Sequence, residues 1–195
     1  MLQYIVLLGA LISLILTCVY ARDVLKGDVK PNKITWFMWS VAPLIGTAAA
    51  LSSGVTWAVL PVFMAGFSPL VVFIASFINK KSYWKITKPD LLCGALSVIA
   101  LVIWYLTDNA DYAILFSILS DGLAGLPTVI KSWKYPETEN AFPYVGGLAS
   151  TATAFFAIKT WNFASLAFPI YLIFIDGIIA AFLIYRKKKN NLPSR

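Results

Sequence analysis

Histidine is absent from the 195-residue chain, and acidic residues are scarce: nine Asp and Glu stand against sixteen Lys and Arg. Without histidine the commonest metal ligand and the usual proton carrier at neutral pH are both missing, so proton chemistry falls to carboxylates. Only two cysteines occur, Cys18 and Cys93. Both lie inside apolar runs, where nothing marks them as a disulfide or a metal pair, and they read as small packing residues. Nucleotide-binding glycine loops, metal-ligand clusters and Ser/His/Asp arrangements are missing too, and the loops are too short for a catalytic domain, so neither an enzyme nor a cofactor is expected. Charged residues make up 13% of the chain, against 59% hydrophobic and 15% aromatic. That balance lies well outside the composition of soluble domains and predicts an all-α integral membrane protein.

Seven apolar runs are long enough to span a hydrocarbon core of roughly 30 Å at about 1.5 Å per residue. They cover Leu2 to Ala21, Ile34 to Leu51, Val55 to Ile78, Leu91 to Thr107, Tyr112 to Ile130, Tyr144 to Ile158 and Phe163 to Tyr185. The first lacks a basic leader and is about 20 residues long, so it reads as a retained helix rather than a signal peptide. The loops alternate in charge. Those around ARDVLKGDVKPNK, NKKSYWKITKPD and KSWKYPETENAF, with the tail RKKKNNLPSR, hold 15 of the 16 Lys and Arg residues. Spread over short loops, the net charge of +7 is no nucleic-acid footprint. By the positive-inside rule it places the N-terminus outside and the C-terminus in the cytoplasm.

Sliding the chain by 108 residues lays runs one to three on runs five to seven and leaves the fourth as a linker. Lys26 then meets Lys134, Trp36 meets Tyr144, Pro61 meets Pro169, Ser13 meets Asp121 and Ser68 meets Asp176. An odd number of intervening helices predicts parallel repeats in a 3+1+3 arrangement. The expected units are 1–80, a linker helix within 81–109, a second unit at 110–186 and a basic tail at 187–195.

Asp121 and Asp176 are both expected about 15 to 20 Å deep, near the midplane. An acid inside hydrocarbon is costly, faces protein or water, and is by default a candidate for a transport pathway and for carrying a proton. The plainer reading, in which each Asp is a hydrogen-bond donor tying two helices together, stands beside it. Ser13, Thr47, Ser68, Ser150, Thr151 and Thr153 fall at similar levels, where they either line a polar path or bond their own backbone carbonyls. Pro43, Pro61, Pro69, Pro127 and Pro169 each remove a backbone hydrogen bond and permit a bend. Pro43 and Pro127, beside the repeated basic loops, have the best claim as hinges, with Pro61 and Pro169 as further gating candidates. Trp36, Trp84, Trp104, Tyr135, Tyr144 and Trp161 read as interfacial anchors. Trp39 is the aromatic residue held open as part of a pocket.

The stretch LPTVIKSWKYPETENAFPYVGGLAS combines a helix proline, a short Lys/Ser turn, an acidic residue and a Pro-aromatic entry into the next helix. It resembles the recurrent element of the SWEET and PQ-loop transporter superfamily, whose 3+1+3 layout, parallel repeats and outside N-terminus match the reading above. In the first unit RDVLKGDVKPNKITWFMWS keeps only the basic turn. The family's Pro-Gln pair is here Pro127-Thr128, the first helix has no proline, and Ser68 and Asp176 stand where sugar-transporting relatives tend to use Asn. Trp36 and Trp39 are similar in spacing to the W-x-x-W of vitamin-precursor transporters with the same layout. The resemblance implies alternating-access transport, as a facilitator or coupled to protons, of a polar or cationic solute rather than a simple sugar. It permits a homo-oligomer and fits a multi-pass protein of a bacterial inner membrane. Two other classes stay open on the sequence: a non-transporting receptor or scaffold on the same fold, and an intramembrane aspartyl enzyme using Asp121 and Asp176 as a dyad.

Overall fold

The computed structural model describes residues 2–52, 60–79, 82, 84–106, 110–158, 161 and 163–190. These form seven α-helices: α1 (Leu2–Lys26), α2 (Lys33–Ser52), α3 (Leu60–Ile78), α4 (Lys88–Tyr105), α5 (Ala110–Lys134), α6 (Phe142–Ala154) and α7 (Phe163–Lys189), with short 3₁₀ turns at Pro136–Thr138 and Phe155–Ala157. No strand occurs among the described residues. Among the described residues three segments, Tyr4–Lys26, Leu60–Ile78 and Leu166–Lys189, are long and apolar enough to cross a membrane. The chain is a helical membrane protein.

Local sequence sets the helix boundaries. At the end of α1, Gly27 takes φ 87°, a left-handed conformation that favours glycine. There Gly27 N–H bonds Val24 O and Asp28 N–H bonds Asp23 O, both at 3.0 Å, the paired bonds of a Schellman cap. Asn32 opens α2 by accepting the Ile34 N–H at 3.1 Å. Asp90 reaches back from the first turn of α4 to the Thr87 N–H and hydroxyl, each at 2.7 Å, in the manner of a capping box. Pro43, Pro69, Pro127 and Pro169 all lie inside continuous helices.

The helix ends carrying the basic loops gather at one end of the bundle, called here the basic end. Asn79 donates to Leu25 O, joining the C-terminal ends of α3 and α1. Asn32 and Asp90 join the starts of α2 and α4, and Arg186 of α7 reaches Trp133 O at the end of α5. Successive helices therefore alternate in direction, and α1 and α5 point the same way. In the packing, α3 touches both α1 and α2, while α7 touches both α5 and α6. Contacts of α1 with α6 and of α2 with α5 close a ring of six helices, and α4 lies outside it against α5 and α2.

Two hydroxyls fix α4 to α5: Ser97 Oγ donates to Ser120 O at 2.8 Å, and Ser120 Oγ donates to Ser97 O at 2.9 Å. Both residues are buried. Replacing both with alanine is expected to lower stability by about 0.6–2 kcal/mol, the scale of hydrogen bonds between membrane helices. Reversible unfolding in mixed micelles checks this, and no change would mean that apolar packing alone holds α4.

The apolar core, built around Tyr20, Val24, Trp36, Val72, Ile179 and Leu183, fills the half of the bundle nearest the basic end. Outward faces of α1, α4 and α7 are also apolar, with Leu8, Ile15, Leu92, Ile99 and Phe174 among the exposed side chains.

Candidate functional site

Beyond that core, at the centre of the ring, lies a cavity of about 420 Å³ lined by residues of α1, α2, α3, α5, α6 and α7. Both acids singled out in the sequence face it: Asp121 from α5 and Asp176 from α7. Asp121 is buried and accepts the Tyr171 hydroxyl at 2.7 Å. Its backbone carbonyl accepts Trp39 Nε1–H at 3.1 Å, so the indole of α2 braces α5 at the level of the acid. Asp176 lies over Gly147 of α6, where a β-carbon would collide with its carboxylate. Glycine at 147 makes the space that the acid occupies.

The serine counterparts of the acids meet in the first half of the chain, with Ser13 Oγ and Ser68 Oγ 3.5 Å apart. The repeat register thus places a neutral pair on α1 and α3 and an acidic pair on α5 and α7, facing one hollow. Thr17, Ser150 and Thr151 join the lining. Thr153 does not, because its hydroxyl donates to Ser150 O one turn back at 2.7 Å. The side chains of Thr47 and Trp104 lie outside what the structure describes, as do residues 159–160.

Pro43, Pro61 and Pro169 line the cavity together with Trp39, whereas Pro127 stands away from it. The turns of α5 just before Pro127 are held from α2: Thr35 Oγ1 donates to Ala124 O at 2.7 Å, and Thr128 and Thr35 hydroxyls are 3.2 Å apart. α2 and α5 therefore meet beside Pro127, while Pro43 lies about two turns further along α2.

Trp36 and Tyr144 depart from the sequence reading. Expected as interfacial anchors, they are 2% and 1% exposed and form the floor of the cavity on its basic side. Their rings pack against each other and Trp39 at centroid distances of 5.5 to 6.4 Å. Among the described residues neither Trp36 Nε1 nor the Tyr144 hydroxyl has a hydrogen-bond partner.

Below the floor, at the basic end, a buried polar network closes the bundle. Lys131 Nζ pairs with Glu139 Oε1 at 2.6 Å, both side chains being fully buried, and also donates to Lys30 O. Tyr20 donates to Glu139 Oε2 at 2.5 Å. Asn140 donates to Asp23 at 2.6 Å and accepts the Phe142 N–H at 3.1 Å. Lys131, counted in the sequence among the basic loop residues, lies in the last turn of α5 and is buried against Glu139 and the Trp84 ring.

Compared with known proteins, the chain matches no family model, no curated sequence and no solved structure. The geometry therefore carries the functional argument. Among the described residues no group of three or more Cys, Asp or Glu side chains is placed to hold a metal. What the cavity offers is two carboxylates, a pair of serine hydroxyls and an aromatic floor. The sequence reading missed Tyr171, which no motif marks. It also missed Asn32 and Asn140, although these repeat at the same 108-residue spacing and make matching bonds.

Proposed function

We propose that this protein is a small-molecule transporter of the SWEET and PQ-loop type, moving a polar or cationic solute by alternating access. The observation that carries the reading is the convergence of Asp121, Asp176, Ser13 and Ser68 on one central cavity. Solute sites at a repeat interface near mid-depth are the pattern of transporters built from duplicated helical units. The six-helix ring, in which α3 packs against both α1 and α2 as α7 packs against both α5 and α6, supports two parallel units joined through α4. On this reading seven spans run in a 3+1+3 order with the N-terminus outside, and the basic end is cytoplasmic. Asp121 and Asp176 meet the positive charge of the solute or a proton. The two units rock about the site, with Pro43 and Pro127 as the bending points of α2 and α5.

Uptake into proteoliposomes of labelled amines, amino acids and sugars tests the proposal. Amines are expected to enter, and both Asp121→Asn and Asp176→Asn are expected to cut entry at least about tenfold, since an intramembrane acid in a cavity marks the pathway. Wild-type uptake in both variants, or no uptake of any probe, overturns it. Gly147→Ala is expected to fall between wild type and Asp176→Asn, because the added methyl displaces the carboxylate without removing it.

A further inference from the structure

At the basic end the last turns of α5 and α7 meet on the outside of the ring, where Trp133 and Tyr185 are both exposed. Trp133 packs its ring against Phe182 and Tyr185, with centroids 4.8 and 6.1 Å apart. Arg186 spans the same junction: its Nε donates to Trp133 O at 3.0 Å, and its Cζ lies 5.1 Å from the centre of the Trp133 ring. A carbonyl in the last turn of a helix has no partner inside that helix, so this bond caps α5 and fixes the arginine at once. A guanidinium carries five N–H donors, which leaves most of them for other acceptors. Lys189 stands one turn beyond Arg186 on the same side of α7, and Lys134 follows Trp133. Both lysines are exposed, and neither has an ion pair among the described residues. The turn at Pro136–Thr138 touches both helices and brings one acid, Glu137, so the patch keeps a net positive charge.

Inward from this patch both helices turn an apolar stripe outwards. Leu126, Ile130 and Trp133 are exposed along α5, and Phe174, Ile178 and Tyr185 along α7. Spacings of three, four and seven residues keep each set on one face of its helix. The two helices run the same way and pack against each other. Counted from the Trp133–Phe182 contact at about 1.5 Å per residue, Ile130 and Ile178 come about 5 Å deeper, and Leu126 and Phe174 about 11 Å deeper. The surface therefore has basic donors at its outer edge, aromatic rings next and a strip of hydrocarbon side chains from two helices beyond them.

We infer that the ends of α5 and α7 form a binding site for one anionic phospholipid, its phosphate at Arg186, Lys134 and Lys189 and its acyl chains along the paired stripes. Charge decides the class of lipid. Basic side chains at the membrane surface favour anionic headgroups, and a guanidinium already held by Trp133 can offer two parallel N–H groups to a phosphate. Tryptophan and tyrosine settle at headgroup depth, and the patch stands at that depth, at the end of the Leu166–Lys189 span. A soluble phosphate would use the charges and leave the stripes uncovered. A second copy of the chain, paired through the same face, would set like charges against one another. The inference rests on the membrane character of the helices and is independent of the transport reading.

Native mass spectrometry of the full chain in a neutral detergent, titrated with phosphatidylglycerol, phosphatidylcholine and inorganic phosphate, tests it. The first phosphatidylglycerol is expected to bind at least about tenfold more tightly than phosphatidylcholine, and inorganic phosphate at the same concentration is expected not to displace it. In Arg186→Gln, and in Lys134→Gln/Lys189→Gln where the bond to Trp133 is intact, the ratio of the two lipid affinities is expected to collapse towards one. Lys26→Gln/Lys33→Gln removes as many charges as the lysine pair, from the ends of α1 and α2 across the ring, and is expected to keep the preference. Melting curves check that each variant is folded. Equal binding of the two lipids by the wild type, a preference that survives the patch substitutions, or one that falls equally in Lys26→Gln/Lys33→Gln overturns the inference. Displacement of the lipid by inorganic phosphate, or a dimer of the chain that forms without retained lipid, overturns it as well.

Discussion

Lys131→Met lowers the stability of the folded protein by about 3–5 kcal/mol, the scale on which removing one member of a buried ion pair strands the other. The methionine keeps the length of the lysine stem, so the loss is electrostatic. Glu139 retains the Tyr20 hydroxyl at 2.5 Å but loses its ion-pair partner, in a place where neither side chain of the pair is exposed. The ammonium also lies over the Trp84 ring, 4.6 Å from its centroid, and bonds Lys30 O, so one substitution loosens α5, the loop before α2 and the segment before α4 together. Adding Glu139→Gln to the Lys131→Met background is expected to restore most of the loss, because the stranded charge is then gone while the Tyr20 contact remains. Reversible unfolding in mixed micelles, followed by the fluorescence of the seven tryptophans, measures both. A single-variant loss below about 1 kcal/mol, the value of an exposed pair, would show that water reaches Lys131.

Asn140→Ala is the second large effect, expected to cost about 2–4 kcal/mol. Two losses combine: a hydrogen bond to a buried carboxylate and a bond to a free N–H at a helix start. Asp23 is left with Arg22, 3.6 Å away and largely exposed, as its nearest charge partner. Asn32→Ala removes the matching bonds, to Asp90 at 3.0 Å and to the Ile34 N–H at 3.1 Å. Its expected cost is smaller, about 1–3 kcal/mol, because Asp90 keeps the Thr87 N–H and hydroxyl. The same unfolding assay ranks the two. An equal or reversed order would mean that Asp23 finds another donor when Asn140 is gone.

The cavity walls show what hydropathy along a chain conveys and what it does not. Asp121 and Asp176 stood out because a carboxylate in an apolar run is conspicuous, and their depth followed from counting residues. Ser13 and Ser68 stood out only through the repeat register. Trp36 and Tyr144 were misassigned because their closeness to helix ends looked interfacial, whereas the basic loops fold over those ends and bury them. Thr151 and Thr153 looked alike in sequence. One turns to the cavity and the other bonds its own helix, a choice made by the direction in which α6 faces its neighbours.

From the sequence alone came the helical membrane character, the placement of the seven helices to within a few residues, and the 108-residue register between the two halves of the chain. All three depend on local hydropathy, capping residues and spacing, which act along the chain. The tertiary structure decided which sides of those helices face inward, that Lys131 is an enclosed charge, and that the two acids share a hollow with Ser13 and Ser68. In a membrane helix the lipid-facing and core-facing sides are both apolar, so the sequence carries no amphipathic stripe to say which is which, and only the packing of six helices into a ring settles it.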